Sequence, residues 1–144
     1  MVKLFRTRDG ALVRSFPLPQ PAAVSFSPDS RWLLTGSGSE YVFWNVEGGQ
    51  AGLRVKREEG AGVQGTMAFS RDGRGLALAI SQWVVALVDP ASGVEFARLE
   101  HPNAQLISAL EFSPSGKRLA VATQGHVVQV WDLAKVRAEL AALN

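Results

Sequence analysis

Ala23-Val24-Ser25-Phe26-Ser27-Pro28-Asp29-Ser30-Arg31-Trp32-Leu33 returns in outline, with the same physical types at its key positions, 43 residues later and 43 residues later again. Phe26-Ser27, Phe69-Ser70 and Phe112-Ser113 mark the three copies. An apolar residue stands two positions before each Phe (Val24, Met67, Leu110), and a turn former three positions after it (Asp29, Asp72, Ser115). A basic residue follows (Arg31, Arg74, Lys117), and then a leucine (Leu33, Leu76, Leu119). Alternation up to the Phe reads as a strand with one apolar face, and Pro28-Asp29-Ser30 reads as a tight turn. The near-continuous apolar run at 32–35 reads as a strand covered on both faces. Repeats of about 40–45 residues made of short strands each build one four-stranded blade of a β-propeller.

The rest of each copy fits that unit. Strands are expected at 23–26, 32–35, 41–45 and 50–56, then at 66–69, 76–80, 84–88 and 94–99, and last at 108–112, 119–123 and 127–131. Phe5 through Phe16 aligns without gaps to Val88 through Leu99, with Gly10 at the place of Gly93. The chain therefore opens in the third strand of one blade and leaves the last blade after its third strand. Dividing 144 residues by 43 gives 3.3 repeats, too few for the about 4–8 blades of a closed ring. Asp132 is an N-cap, and Leu133, Val136, Leu140 and Leu143 form one apolar stripe of a helix free of Gly and Pro. The expected fold is all-β: a partial β-propeller with a short C-terminal α-helix. Its parts are a half blade at 1–16, blades at 17–57 and 58–100, a three-stranded blade at 101–131, and the helix at 132–144.

Composition narrows the function classes. Apolar residues make up 47% of the 144 and charged residues 19%, which suits a folded domain rather than a disordered chain. The absence of cysteine removes disulfides, thiolate chemistry and cysteine-ligated metals, and fits a cytoplasmic location. Met1-Val2-Lys3-Leu4-Phe5 lacks the apolar run of a signal peptide, and no stretch is long enough to cross a membrane as a helix. A net charge of +2 is too small to argue for a nucleic-acid partner.

These motifs resemble the WD-repeat β-propeller family over nearly the whole chain. The family's repeat ends its third strand in Trp-Asp, intact here at Trp131-Asp132, with Trp44-Asn45, Val88-Asp89 and Phe5-Arg6 at the equivalent places. Phe26-Ser27-Pro28-Asp29 and Phe112-Ser113-Pro114-Ser115-Gly116 are similar to its first strand ending and turn. The family's Gly-His is absent, with His101-Pro102 its nearest echo. Gly38-Ser39-Glu40, Ser81-Gln82-Trp83 and Gly125-His126 replace the Asp before the third strand. The family's buried His–Ser–Asp–Trp network is therefore expected to be incomplete, and the blades to rest more on packing. The helical ending is similar to the C-terminal close of many bacterial WD-repeat proteins, which makes the C-terminus the natural end and the N-terminus the cut one. The Phe-Ser-Pro-Asp repeat is also similar to that of prolyl-oligopeptidase-type peptidases and periplasmic translocation proteins.

No catalytic constellation is present. His101 and His126 have neither a cysteine nor a second histidine at metal-ligand spacing, so no metal and no cofactor are expected. Gly36-Ser37-Gly38 follows a strand but precedes no helix, which argues against a phosphate loop. Lys56-Arg57-Glu58-Glu59 reads as a solvated loop cluster. Basic residues recur at the first turn of each blade (Arg31; Arg71 and Arg74; Lys117 and Arg118) and should share one rim with Arg6 and Arg8. Without interleaved aromatics, nucleic acid is disfavoured there.

The resemblance implies a non-catalytic protein–protein interaction scaffold whose specificity lies in loops at 17–22, 58–65 and 101–105 and in the turns between second and third strands. The candidate binding residues are Glu40, Gln82, Trp83, Asn103, Gln105, Gln124 and His126. Trp83 reads equally as a binding anchor and as packing against a neighbouring blade. The first and last blades should each expose an apolar face, calling for a second copy or the rest of a longer propeller. In the first case residues 11–16 would supply the missing outer strand of the last blade. Self-assembly into a ring is the alternative function, and an accessory propeller of a larger enzyme is a third.

Overall fold

The computed structural model describes residues 1–18, 20–62, 64–100 and 102–143. His101 lies outside the described residues. The apolar alternation resolves into β1 (Val2–Phe5), β2 (Leu12–Phe16), β3 (Ala23–Phe26), β4 (Trp32–Gly36), β5 (Glu40–Asn45), β6 (Ala51–Lys56) and β7 (Met67–Phe69). It continues with β8 (Leu76–Ala79), β9 (Val84–Val88), β10 (Glu95–Glu100), β11 (Ile107–Phe112), β12 (Arg118–Thr123) and β13 (Val128–Asp132), followed by α1 (Leu133–Ala142). Every pairing is antiparallel between sequence neighbours: β1-β2, β3-β4-β5-β6, β7-β8-β9-β10 and β11-β12-β13. The first strands β3, β7 and β11 lie side by side, so the sheets fan out from a shared inner edge. This is the expected arc of a propeller. Among the described residues no helix is long and apolar enough to cross a membrane.

The repeated Phe-Ser-x-Asp has a local cause. Ser27 Oγ donates to Asp29 Oδ1 at 2.5 Å and accepts from the Trp32 amide at 3.0 Å, while Asp29 Oδ1 accepts from the Arg31 amide at 3.1 Å. Ser70 and Asp72 repeat the arrangement at 2.6 Å, with Gly75 and Arg74 as the amide donors. The serine hydroxyl, and next the backbone amide, hold both carboxyls below their ordinary value of 3.8. The turn's fourth residue sits in the left-handed region, which Gly73 and Gly116 adopt freely and Ser30 adopts at φ 61°. Without a carboxylate, the Ser113–Ser115 contact of the last turn relaxes to 3.2 Å.

Packing lies between sheets. Leu34, Tyr41 and Phe43 of the first full blade meet Leu76, Leu78, Val84, Ala86 and Val88 of the second. The other face of the second blade, Ala77, Ala79, Val85 and Leu87, meets Leu110, Leu119 and Val121 of the third. Leu33, Val42 and Trp44 take Phe16, Val2 and Leu4 of the N-terminal hairpin. Trp44 Nε1 donates to Thr35 Oγ1 at 3.0 Å, a surviving piece of the family's buried network.

The open ends are real: they break the equivalence of the repeat and change one expectation. Leu33, Leu76 and Leu119 are buried, but the Phe positions are not equivalent: Phe69 and Phe112 are half-buried, whereas Phe26 is 50% exposed. The hairpin β1-β2 supplies only the two outer strands of its blade, so Val24 and Phe26 on the inner strand stay about half exposed. Nor is β2 left over for a second copy, because it pairs with β1 of its own chain and buries Phe16. At the other end Val128 and Val130 are each 63% exposed on the outward face of β13. Asp132 caps α1 as expected by accepting from the Ala134 and Lys135 amides. The helix, however, docks only through Leu133 and Val136, leaving Leu140 and Leu143 exposed. The chain exposes 8647 Å² at 15.5 kDa, against about 7,200 Å² for a compact monomer of that mass.

Candidate binding rim and the Arg57 cavity

Antiparallel meanders sort the connections onto two rims. Turns β1–β2, β3–β4, β5–β6, β7–β8, β9–β10 and β11–β12 share one. The connections β4–β5, β8–β9 and β12–β13 and the links between blades share the other.

The first rim carries Arg31, Arg71, Arg74, Lys117 and Arg118, but its charge is mixed. Arg6 and Arg8 both pair with Asp9. Arg31 and Arg74 each follow a turn carboxylate two residues earlier. A cleft of about 310 Å³ opens here over Trp32, Phe43 and Phe69, with Asp29 and Asp72 at its sides. Trp32 and Phe69 both stand edge-on to Phe43 at 6.4 Å, so these rings bind one another.

The second rim holds a cation that is not where the sequence reading put it. Lys56, Glu58 and Glu59 are exposed, and Glu58 pairs with Arg98 at 3.2 Å. Arg57 is instead 8% exposed. Its Nε donates to the Ala79 carbonyl at 3.0 Å, Nη1 to those of Ser37 (2.7 Å) and Gly62 (3.2 Å), and Nη2 to that of Ala61. Its guanidinium also lies 5.8 Å over the Tyr41 ring. The Tyr41 hydroxyl shares its proton between the Thr66 and Ala79 carbonyls, both at 2.8 Å. Burial lowers the Arg57 pKa from 12.5, a shift opposed by Tyr41. The same burial raises the Tyr41 pKa far above its ordinary 10.0, against the pull of Arg57. Local sequence gave one signal for this: the small residues Gly60-Ala61-Gly62 let the link fold back so that its carbonyls meet the guanidinium.

Beside Arg57 lies a cavity of about 230 Å³ between the second and third blades. It brings together Gln82 and Gln124 with Gln64, Ser81 and Thr66, the last three not among the candidate binding residues. Gln82 Nε2 donates to the Gly60 carbonyl at 2.6 Å, and the Gln124 backbone N–H to that of Leu106 at 2.9 Å. The other candidates fall outside it. Glu40 opens β5 and accepts from Arg54 at 2.6 Å. Gln105 Oε1 accepts from Thr123 Oγ1 at 2.8 Å. Asn103 is an exposed loop residue, and His126 an exposed turn residue at φ 60°. Trp83, next to Gln82, is 39% exposed on the same rim.

Comparison with known proteins agrees with this architecture. The family model of the WD domain, G-beta repeat, matches residues 12–45 and 94–132, just over half of the chain. The chain is 32% identical over 122 residues to the WD repeat-containing protein SL1-17 of Schistosoma mansoni, covering 83% of this chain and 39% of that protein. The β-propeller domain of Myceliophteria thermophila Cps50 (Swd1) superposes with a TM-score of 0.70 at 20% identity, over 83% of this chain and 38% of that one. The chain thus spans about two fifths of the length of these relatives.

Proposed function

The chain belongs to the WD-repeat family of β-propellers, and on that premise we propose that it is a non-catalytic scaffold binding protein partners through its second rim. The observation that carries this reading is Trp83, a large side chain held 39% exposed on a rim of rigid blades. Tryptophans in that setting anchor interfaces, and loops on a stiff frame carry specificity. The test is affinity capture with the wild-type chain and with Trp83→Ala, quantified by mass spectrometry. Proteins lost with Trp83→Ala but kept with Arg31→Ala, on the opposite rim, support the scaffold; identical capture by both variants refutes it.

A second reading, self-assembly into a ring, is favoured by Val24 and Phe26 at one end and Val128 and Val130 at the other. Apolar faces at both ends of an arc suit head-to-tail contact with a further copy or with further blades of a longer propeller. Light scattering coupled to size exclusion tests it. A monomer at low micromolar concentration removes the self-assembly reading, and a dimer lost in Val130→Lys supports it.

A further inference from the structure

We propose that the Arg57 cavity is a receptor for a single carboxylate, an Asp or Glu side chain of a protein partner. This rests on the scaffold reading and names the chemistry its second rim recognises. Arg57 is a buried cation, and among the described residues no carboxylate pairs with it or lines the cavity. Its compensation comes from neutral carbonyls and the face of the Tyr41 ring, which offset a desolvated charge less completely than an anion does.

Carbonyls of the cavity wall are also engaged. Thr66 O accepts from Tyr41 and from the Ala79 amide, Ala79 O from Tyr41 and Arg57, and Leu106 O and Gln82 O from backbone amides. With these carbonyls engaged, the wall presents a positive charge and the side-chain amides of Gln64, Gln82 and Gln124, whose NH2 groups can turn to an anion; Gln82 Nε2 also donates to the Gly60 carbonyl. Among the described residues, four of the five guanidinium N–H groups have carbonyl acceptors, and the fifth is on Nη2. That one remaining Nη2–H gives a carboxylate a charge-assisted hydrogen bond, stronger than one from a neutral donor. The volume of about 230 Å³ falls below the about 300–1,000 Å³ of small-molecule sites, which fits one side chain rather than a free metabolite.

The experiment needs no identified partner. The full chain, labelled with nitrogen-15, is titrated with N-acetyl-glutamate amide, and with N-acetyl-glutamine amide as the uncharged isostere, while proton–nitrogen spectra are recorded. The expected result is saturable shifts at Arg57 Nε–H and at the Gln82 and Gln124 side-chain amides, produced by the glutamate probe alone. Gln124→Ala, a change at an exposed residue, should weaken that binding about threefold or more with an otherwise unchanged spectrum. Shifts of equal size with the glutamine probe, shifts no larger than those at exposed Arg6 and Arg71, or full affinity in Gln124→Ala would each overturn the proposal. Capture that depends on Trp83 alongside a silent cavity would leave the scaffold standing and remove only the carboxylate receptor.

Discussion

Raising the pH above 10 should unfold this protein through one residue. Tyr41 is the single tyrosine in the chain, fully buried between two blades, with its hydroxyl against two carbonyl oxygens. Burial, partly opposed by the nearby Arg57 charge, raises its pKa far above the ordinary 10.0. The unfolded chain therefore releases this proton near pH 10 while the folded chain keeps it. Where the folded state binds more protons, stability falls as pH rises, by about 1.4 kcal/mol per pH unit at the limiting slope. Stability from Tyr41 is present in full below pH 10 and lost progressively above it. That loss is a large share of the roughly 5–15 kcal/mol that holds a domain together. Denaturant titrations at stepped pH should show the decline. In Tyr41→Phe it should be absent, at a cost of about 1 kcal/mol at neutral pH for the lost hydrogen bond. The near-ultraviolet absorbance of tyrosinate reports the same event from the only phenol present: it should stay flat until the circular dichroism collapses, then rise with it. Ionisation near pH 10 with sheet content intact would refute the buried assignment of Tyr41.

Leu76→Ala should destabilise the chain by about 3 kcal/mol, because Leu76 is fully enclosed between two blades, whereas Val130→Ala should change stability by about 0.5 kcal/mol or less. Denaturant midpoints compare the two directly. Phe69→Ala should cost about 2 kcal/mol and Phe26→Ala about 1 kcal/mol or less, although the two are repeat equivalents; equal losses would mean that something covers Phe26. The Asp29 and Asp72 carboxyls, followed by NMR, should titrate below 3.8. Their stabilisation is present above that value and fades as pH falls through the folded pKa, and Ser27→Ala should move only Asp29 back up. His126→Ala and Glu40→Ala should keep full sheet content by circular dichroism, since one is an exposed turn residue and the other holds a partly exposed ion pair.

The strands, their order and the blade turns were legible in the sequence because each has a local cause. Alternation chooses the strand face, Ser27 with Asp29 and Ser70 with Asp72 close turns over a few residues, and Asp132 caps the helix that it precedes. The leucines after the turn, on central strands, were readable as core for the same reason. The Phe before it was not, because burial of an inner strand depends on which strands stand opposite. Phe69 has the first full blade beside it, and Phe26 has only a hairpin that reaches the outer strands. Arg57 shows the limit most plainly. In sequence it belongs to a run of charges, and such runs are solvated by default. What buries it is a set of carbonyls from Ser37, Ala61, Gly62 and Ala79 and the ring of Tyr41, gathered from two blades and the link between them. Local pattern determined the blades of this protein; the partners of a charge and the neighbours of a face are distant in the chain, so only the packed structure decided those.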